Sequence, residues 1–355
     1  MLILQRYVFR QGMLASLMSL LVFLAVVMAL FLAELLGDAA QGELPGGSVV
    51  LMLLLRLPEA VMLVGPLALL TGLLMTLGRF QEDSELVIMR SAGFSYGRLL
   101  QPVALLSILW TAGLLFISGW LSPQAIDRSA ELLTDVARRA MVSSLHSGQF
   151  NRVNHGLTTI YAGSLDRRTE KLGNLFIQHL EDGQSQVLTA RSGQVWLADE
   201  SDGSYLLLED GFQIEHAARP SGAPLREMRF GRNELRLPAP EDIRVAEESR
   251  QRLTELWPAD SPAQRREQHW RLAPPLAGLL LGLIALPLSS RRPRQGRHGS
   301  VIAALVLYLV YSNIVHGGLI VMEQKNALSG PGLWPVHAAL AMLALVLLLR
   351  HRRAW

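Results

Sequence analysis

Residues 13–36 read MLASLMSLLVFLAVVMALFLAELL, a run in which Glu34 is the only ionisable side chain. A bilayer core about 30 Å thick is crossed by about 20 apolar residues in a helix, so this run predicts a membrane-spanning helix. Five comparable runs follow, and the six predicted spans are Met13–Leu36, Glu59–Gly78, Leu99–Leu121, Leu272–Ser290, Ser300–Met322 and Leu333–Leu349. We therefore expect an α-helical membrane protein with six transmembrane helices and one long polar insert.

The short connections between the spans differ in their basic residues. The loops at about 37–55 and 323–332 contribute only Lys325. The other side holds twelve arginines: Arg6, Arg10, Arg79, Arg90, Arg98, Arg291, Arg292, Arg294, Arg297, Arg350, Arg352 and Arg353. Because basic residues stay on the cytoplasmic side, we expect both termini to be cytoplasmic and residues 122–271 to face outward.

The composition excludes several classes of protein. The net charge of the 355 residues is only +3, which is too small to indicate nucleic-acid binding. The chain has no cysteine, so disulfides and thiolate metal sites are excluded.

The insert at 122–271 changes its periodicity along its length. A helical pattern continues to about residue 146, and then apolar residues alternate as they do in strands. The strand candidates are Leu157–Tyr161, Leu175–His179, Gln194–Leu197, Tyr205–Leu208, Phe212–Glu215 and Glu227–Phe230. The turn signals between them are Asp182-Gly183, Asp202-Gly203, Asp210-Gly211 and Ser221-Gly222. This spacing predicts an all-β domain over about 149–245, either an antiparallel sandwich or a jellyroll-like domain, and a return helix at 241–257.

The histidines of the insert carry no metal or catalytic spacing. His146, His155, His179 and His216 are scattered, and residues 122–271 contain no GxSxG motif. We therefore expect no metal site and no catalytic residue. A small β domain with exposed edges is better suited to binding or to strand pairing with another β domain.

The connection at 79–93, RFQEDSELVIMRSAG, carries the pattern of a short helix, which a simple linker between two spans does not need. Ser84 is predicted to cap a short helix with acidic residues in its first turn, and Gly93 to end it. Such a helix would lie along the membrane surface and present Glu82, Glu85 and Met89. It is either a simple interfacial helix or a docking element for a cytosolic partner.

No nucleotide-binding motif is complete in this chain. Gly37–Gly42 has the glycine spacing of a Walker loop, but Glu43 and Leu44 stand where Lys and Ser or Thr would contact phosphate and Mg²⁺. If the protein uses ATP, then ATP and Mg²⁺ are bound by a separate ATPase. This chain is expected to need no cofactor and not to be an enzyme.

Ionisable residues near the span ends have local explanations. Arg56 and Glu59 are expected to form an interfacial ion pair worth less than about 1 kcal/mol, although Arg56 could also meet an anionic lipid headgroup. Glu34 and His316 are expected to pack or to reach the interface, not to relay protons.

Several of these residues resemble one family. Gly72-Leu-Leu-Met-Thr-Leu-Gly78, followed by Glu82, Ser84-Glu85, Met89 and Gly93, is similar to the end of the second helix and the coupling helix of the lipopolysaccharide export permeases LptF and LptG. The LptF side is matched more closely by Arg6-Tyr7, Gly148-Gln-Phe150, Trp270-Arg271, Pro287-Leu288-Ser289 and Pro293-Arg-Gln-Gly-Arg297. The resemblance covers the full length of the chain.

The resemblance implies an ABC transporter permease of the Gram-negative inner membrane, with the insert in the periplasm. The implied partners are an LptG-like permease in a heterodimer, two LptB-like ATPase subunits, and LptC-like and LptA-like bridge proteins, with lipopolysaccharide as the substrate and no nucleic acid. The complex would extract this lipid from the outer leaflet for outer-membrane biogenesis. The implied domains are 1–121 with the coupling helix at 81–93, the periplasmic domain 122–271, and 272–355.

The resemblance also implies site residues. By similarity, the residues that couple to the ATPase are Glu82, Ser84, Glu85, Met89, Arg90 and Gly93, with Glu85 as the polar anchor. The first and fifth spans would line a lateral gate for the lipid. The candidate cavity or gate residues are Phe23, Val27, Phe31, Arg56, Leu305, Leu309 and Ser312.

Two other functions fit the layout. A non-transporting membrane scaffold or sensor with a periplasmic binding domain would purify without an ATPase. A secondary transporter is disfavoured, because such proteins carry broken helices and ionisable groups at the membrane midplane.

Overall fold

The structure, a computed structural model, describes residues 3–41, 44, 46–144, 148, 150–153, 158–166, 171–181, 184–197, 204–217, 226–237, 246–289, 298–324 and 330–354. The chain divides into two compact units, which we describe separately. The helical unit comprises Met1–Ala39, Gly46–Ser129 and Val245–Trp355, and the β unit comprises Ala40–Pro45 and Ala130–Arg244. Some predicted features lie outside the described residues: Arg291–Arg297, Lys325, His146, His155, Asp182-Gly183, Asp202-Gly203 and Ser221-Gly222.

Among the described residues, six helices are long and apolar enough to cross a membrane. These six are α1 (Ile3–Gln41), α3 (Leu57–Glu82), α5 (Tyr96–Phe116), α8 (Pro262–Ser289), α9 (His298–Gln324) and α10 (Trp334–Ala354). A π-helical turn (Ile117–Leu121) continues α5 into α6 (Ser122–Ser144). The remaining short helices are α2 (Val49–Leu55), α4 (Glu85–Ser91) and α7 (Glu247–Arg250). Each of the six predicted spans is therefore confirmed.

Polar side chains join the helices at their ends. Gln5 Nε2 donates to Gln101 Oε1 at 2.5 Å, which joins the start of α1 to the start of α5. At the opposite end of the helices, Arg266 Nη1 donates to Glu323 Oε2 at 3.2 Å, which joins the start of α8 to the end of α9. We call these two ends the terminus side and the insert side.

The helix at the centre of the helical unit is α8, against which α3, α5, α9 and α10 all pack. Its residues Leu281, Ile284 and Ala285 are fully buried. Small residues bring the neighbouring backbones close, as is usual in membranes, where helix association depends on van der Waals packing. A Cβ built on Gly282 would lie 2.3 Å from Ser107 Oγ, so only glycine fits at this crossing.

The first helix packs on the rest of the unit mainly through its N-terminal third. Val8, Gly12 and Ser16 are buried, whereas none of the described residues 17–34 is buried. The closest approach is the crossing of α1 and α3, where a Cβ built on Gly72 would lie 2.4 Å from Ser16 Cα. The middle of α1 is therefore left for lipid or for another chain.

The return helix predicted at 241–257 is mostly wrong. Among residues 246–257 only α7 is helical, at Glu247–Arg250, and α8 begins at Pro262, well before the predicted start at Leu272. Glu267, Gln268 and Arg271 in this first part of α8 are buried and bind the segment that precedes it, which a search for apolar runs does not detect.

The β unit confirms the prediction of an all-β insert. Its described strands are β1 (Phe150–Val153), β2 (Thr158–Asp166), β3 (Lys171–Glu181), β4 (Gln184–Leu197), β5 (Ser204–Ala217) and β6 (Arg226–Leu237). They form one antiparallel sheet in the order β1-β2-β3-β4-β5-β6. The order is sequential, a meander, whereas a closed jelly roll has Greek-key connections. One face buries an apolar core that includes Leu175, Ile177, Leu188 and Leu208.

A bend line crosses this sheet from β2 to β6. Between each two neighbouring strands from β2 to β6, one pair of facing residues is missing from the register. The residues concerned are Gly163, Asn174, Arg191, Asp210 and Gly231. Asn174 and Asp210 have positive φ angles of 51° and 52°, and both residue types tolerate this conformation. The turn predicted at Asp210-Gly211 is therefore wrong: two predicted strands are one long strand, β5, that bends there.

The crossing of α1 and α3 gives a first prediction. We expect Gly72→Ala to destabilise the helical unit by about 1–3 kcal/mol, because the methyl group would collide with the α1 backbone. The measurement is the thermal unfolding midpoint of the purified protein in detergent.

The matched control for this prediction is Gly78→Ala. A Cβ at Gly78 meets no described atom within 4 Å, so this change should leave the midpoint unchanged or raise it slightly. Equal effects of the two substitutions would contradict the crossing.

Candidate functional site: a surface helix and a membrane-facing crevice

The predicted surface helix is found as α4, but its start differs from the prediction. Ser84 has a left-handed φ of 58° and makes no capping hydrogen bond through its side chain. Helix α3 continues to Glu82, and a tight turn, in which Ser84 N donates to Gln81 O at 3.2 Å, leads directly into α4. The prediction that Ser84 caps the helix is wrong, because the turn needs the serine backbone in a different conformation.

The end of α4 confirms the predicted role of Gly93. This glycine has a φ of 79°, its N–H donates to Arg90 O at 2.9 Å, and Phe94 N–H donates to Met89 O at 2.9 Å. These two bonds form a Schellman motif, which requires a left-handed residue at the position of Gly93. Phe94 is 4% exposed and attaches the end of the helix to the core.

The two faces of α4 differ in exposure. Leu86 and Met89 are each 6% exposed and pack into a core with residues of α1, α3 and α5. Val87 and Ile88 are 61% and 64% exposed, and Glu82, Ser84 and Arg90 are exposed as well. The expectation that Met89 is presented on the surface is therefore wrong. Sequence reasoning missed Val87 and Ile88, although they follow Leu86 directly and so point to other sides of a helix.

Glu85 contacts the first membrane helix through Tyr7. The Tyr7 hydroxyl donates to Glu85 Oε1 at 3.4 Å and accepts from Arg79 Nη2 at 3.5 Å. The Tyr7 ring stacks on Phe80, with the ring centroids 5.3 Å apart. The Tyr7 hydroxyl of α1 is thus bonded both to the carboxylate of α4 and to Arg79 of α3, a relation that sequence spacing does not show.

On the insert side, Arg56 has a different partner from the predicted one. Its Nη1 lies 2.8 Å from Glu34 Oε2, and its guanidinium carbon lies 5.2 Å from the centre of the Phe31 ring. The predicted ion pair with Glu59 is wrong, because Arg56 lies at the junction of α2 and α3, where it turns towards α1. The Glu34 side chain is 54% exposed, so the ion pair contributes little to the free energy of unfolding.

The candidate gate residues fall into two groups. On α1, Phe23, Val27 and Phe31 are half-buried and lie on one face at four-residue spacing. On α9, Leu305 and Leu309 are exposed to the surroundings of the unit.

Ser312, the third candidate on α9, lines a crevice between α3, α8 and α9. The crevice was not predicted, because helices that are apolar all round give no sign of which face is inward. Its lining residues are Met62, Leu63, Pro66, Trp270, Ala273, Pro274, Ala277, Tyr308, Tyr311, Ser312, Val315 and His316. Towards the insert side Trp270 and His316 also line a more polar opening with Arg266, Glu267, Leu319, Ile320 and Glu323.

The histidine in this crevice has a packing role. His316 Nδ1 lies 2.7 Å from Ser312 O, and its ring meets the Trp270 ring edge-on at 5.3 Å. Glu34 is paired with Arg56. Both observations agree with the expectation that these two residues pack. In the part of the chain that the structure describes, no group of three His, Asp or Glu side chains is arranged to hold a metal ion.

The helical unit, its surface helix and the inserted sheet together define a multi-pass membrane protein with one β insert. The family model described as lipopolysaccharide export system permease LptF/LptG matches residues 6–350. The chain belongs to this LptF/LptG permease family.

Individual relatives agree with the family assignment. The Escherichia coli (strain K12) protein named lipopolysaccharide export system permease protein LptF is 28% identical over 97% of this chain and 93% of its own length. A Shigella flexneri protein of the same name has the same identity and coverage. The E. coli permease protein LptG is 24% identical over 44% of this chain and 41% of its own length.

The motif at the end of α4 gives a second prediction. Gly93→Ala should destabilise the last turn of α4 by about 1–2 kcal/mol, because an L-residue with a side chain is strained in the left-handed conformation. A Cβ at Gly93 meets no described atom within 4 Å, so steric collision does not contribute. The measurement is amide hydrogen exchange of residues 85–94.

The control for this change is Gly93→Asn, since asparagine tolerates the left-handed conformation better than alanine. Exchange should therefore be slower in Gly93→Asn than in Gly93→Ala. The same exchange rates in all three proteins would show that the motif does not hold the helix end.

Proposed function

We propose that this chain is the LptF-like permease subunit of an ATP-driven transporter that extracts lipopolysaccharide from the outer leaflet of the inner membrane and passes it to a periplasmic β bridge. In this proposal the termini and α4 are cytoplasmic and the β unit is periplasmic. The partners are an LptG-like permease, two LptB-like ATPase subunits that bind ATP and Mg²⁺, and LptC-like and LptA-like bridge proteins.

The proposed reaction needs an external source of free energy. A lipid with several acyl chains loses about 0.8 kcal/mol for each CH₂ group that leaves an apolar environment, so extraction into water is steeply unfavourable. A membrane protein can lower this barrier by offering the chains an apolar surface. The permease must also receive the energy of ATP hydrolysis from another polypeptide, since its own glycine-rich segment lacks the phosphate-binding Lys.

The observation that carries the proposal is the composition of the surface of α4. Val87 and Ile88 lie on a seven-residue helix between two spans, and both are more than 60% exposed. Charged Glu82 and Arg90 are exposed near them. An apolar centre with a polar rim is the usual anatomy of a protein interface, so a cytosolic partner that covers Val87 and Ile88 is favoured.

The contacts behind α4 make it a suitable transmission element. Leu86 and Met89 share a core with Val8 of α1, Leu77 of α3 and Leu99 of α5. Glu85 adds a polar contact to Tyr7 of α1. A displacement of α4 would therefore move three membrane helices directly, because close-packed side chains transmit strain.

The lipid path is supported by the uncovered surfaces of α1 and α9. Residues 17–34 of α1 contain no buried residue, and Leu305, Val306, Leu309 and Val310 of α9 are exposed. These are the helices that the heterodimer would place at its lateral gates. The crevice that contains Ser312 opens beside α9 and offers a mainly apolar lining for an acyl chain.

The surface of α4 gives the third prediction. We expect Glu85→Arg to weaken binding of the LptB-like ATPase by about 2–5 kcal/mol and to abolish lipid export, because it reverses a charge beside the proposed interface and removes the contact of α4 with Tyr7. A charged substitution of an exposed apolar residue, Ile88→Asp, should have a similar effect. The measurement is the amount of ATPase that copurifies with the permease in mild detergent, together with export in cells.

Two controls separate this interface from general damage. Arg353→Glu reverses a charge on the exposed end of α10 and should leave copurification unchanged. Membrane insertion of every variant should be normal. Normal copurification and export in Glu85→Arg would exclude coupling through α4, and a wild-type protein that purifies without any ATPase would favour the scaffold or sensor function.

The uncovered helices give the fourth prediction. A photoreactive amino acid at Phe23, Phe31 or Leu309 should form adducts with lipopolysaccharide or with the LptG-like permease. The same group at Ile108 of α5, which is equally apolar and 57% exposed, should react mainly with bulk phospholipid. Stronger lipopolysaccharide adducts at Ile108 than at the α1 and α9 positions would place the lipid path elsewhere.

A further inference from the structure

Arg271 is the least exposed charged residue in the described part of the chain, with 1% of its surface accessible. Its Nε lies 2.8 Å from Oε1 of Glu267, which is 7% exposed. A guanidinium in such a position requires a hydrogen-bond partner for each of its nitrogens, because an unsatisfied buried charge is strongly unfavourable. The structure provides these partners on a separate segment.

The guanidinium binds the backbone of residues 248–251. Nη1 donates to Gln251 O at 2.5 Å, and Nη2 donates to Ser249 O at 2.8 Å and to Glu248 O at 3.4 Å. These carbonyls lie at the end of α7, where a helix has no backbone donors of its own to satisfy them. Arg271 therefore ends α7 and ties it to α8.

Other bonds fix the rest of this segment. Ser249 Oγ donates to Glu267 Oε2 at 3.3 Å, and Gln268 Nε2 donates to the carbonyl of Leu256, which is fully buried. Leu253 N–H donates to Gly119 O at 3.3 Å in the π-helical turn that follows α5. Arg250 Nη2 lies 2.6 Å from Asp127 Oδ1 of α6. The segment is thus held to three helices.

The backbone of α8 is also bound at Arg271. Pro275 has no N–H to donate to the carbonyl four residues earlier, which leaves Arg271 O without its helical partner. Ser118 Oγ donates to this oxygen at 2.8 Å from the π-helical turn. Arg271 is therefore joined to residues 248–251 through its side chain and to the π-helical turn through its backbone.

We propose that Arg271 is a positioning residue that makes residues 246–257 a rigid strut fixed to the insert-side ends of α5, α6 and α8. The strut is the part of the chain between the β unit and α8, because β6 ends at Leu237 and the described chain resumes at Ala246. This proposal rests on the proposed function in one respect: a rigid strut would move together with α8 during transport, whereas a flexible linker would not.

A disulfide can test whether the strut is docked. A Cβ built on Gly119 lies 3.4 Å from Leu253 Cβ, close to the separation in natural disulfides, and the chain has no other cysteine. The pair Gly119→Cys with Leu253→Cys should therefore crosslink rapidly in the full-length protein in membranes. Each single variant is the control for intermolecular crosslinking.

The crosslinking rate should depend on Arg271. Adding Arg271→Met should lower the rate about tenfold or more, because a released segment has a much lower effective concentration at Gly119. Arg271→Lys should have an intermediate rate, since lysine keeps the charge but lacks the planar fork of donors. Arg265→Met, which changes an α8 arginine that binds Gly330 O, should leave the rate unchanged. An unchanged crosslinking rate in both Arg271 variants would overturn the proposal. If Arg271→Met does not accumulate, an unchanged rate in Arg271→Lys alone would overturn it.

Export measured in cells tests whether rigidity matters. Oxidation of the cysteine pair should leave export unchanged when Arg271 is present, and it should restore the export that Arg271→Met loses. Loss of export on oxidation of the pair alone would mean that the segment must undock, and failure to restore export would mean that Arg271 acts in another way. The crosslinking rate needs no transport, so failure of the strut is distinguishable from failure of the proposed export function.

Discussion

The helical unit depends on how its central helix satisfies its own backbone. Inside a bilayer no water can replace a missing hydrogen bond, yet α8 carries Pro274 and Pro275 and all its neighbours pack against it. The neighbouring helix supplies a hydroxyl group at one of these breaks: Ser118 Oγ binds Arg271 O, the carbonyl that Pro275 leaves without a helical donor. One turn further along α8, Thr111 Oγ1 also approaches Pro275 O at 3.3 Å. The interruptions that weaken α8 as an isolated helix therefore become the bonds that join it to the end of α5.

The distribution of polar contacts indicates how the unit can move. Charged side chains form such contacts around Glu85 on the terminus side and around Arg271 on the insert side, while small and apolar residues form most of the packing between these two clusters. Helix α1 follows the same arrangement: it is held at the Ser16 crossing and again at Glu34, with an uncovered stretch between. A helix held at two points and free between them can bend or tilt without breaking a buried polar bond. The lateral gate that we propose would use this freedom.

The sequence predicted the features that depend on composition and local chemistry. Runs of apolar residues located all six helices, alternation located the sheet, and a glycine located the end of α4 at Gly93. It did not predict contacts between distant residues. A run such as 13–36 is apolar on every face, so nothing in it distinguishes the side that meets α3 from the side that meets lipid. The burial of Met89, the pairing of Arg56 with Glu34 and the bend at Asp210 all depend on tertiary packing of this kind. The role of Arg271 was missed for the same reason, since its partners are backbone atoms about twenty residues away.

The ion pair of Arg271 and Glu267 is better explained by geometry than by stability. The free-energy cost of removing two charges from water offsets most of their attraction. Apolar residues of similar volume often stabilise a protein equally well. An apolar pair, however, could slide or repack, whereas a guanidinium that binds one carboxylate and the carbonyl groups of Glu248, Ser249 and Gln251 permits a single arrangement. Such a contact fixes the position of residues 248–251 relative to α8. A protein that must transfer motion across a membrane surface benefits from a fixed position even where the contact adds little to the free energy of folding.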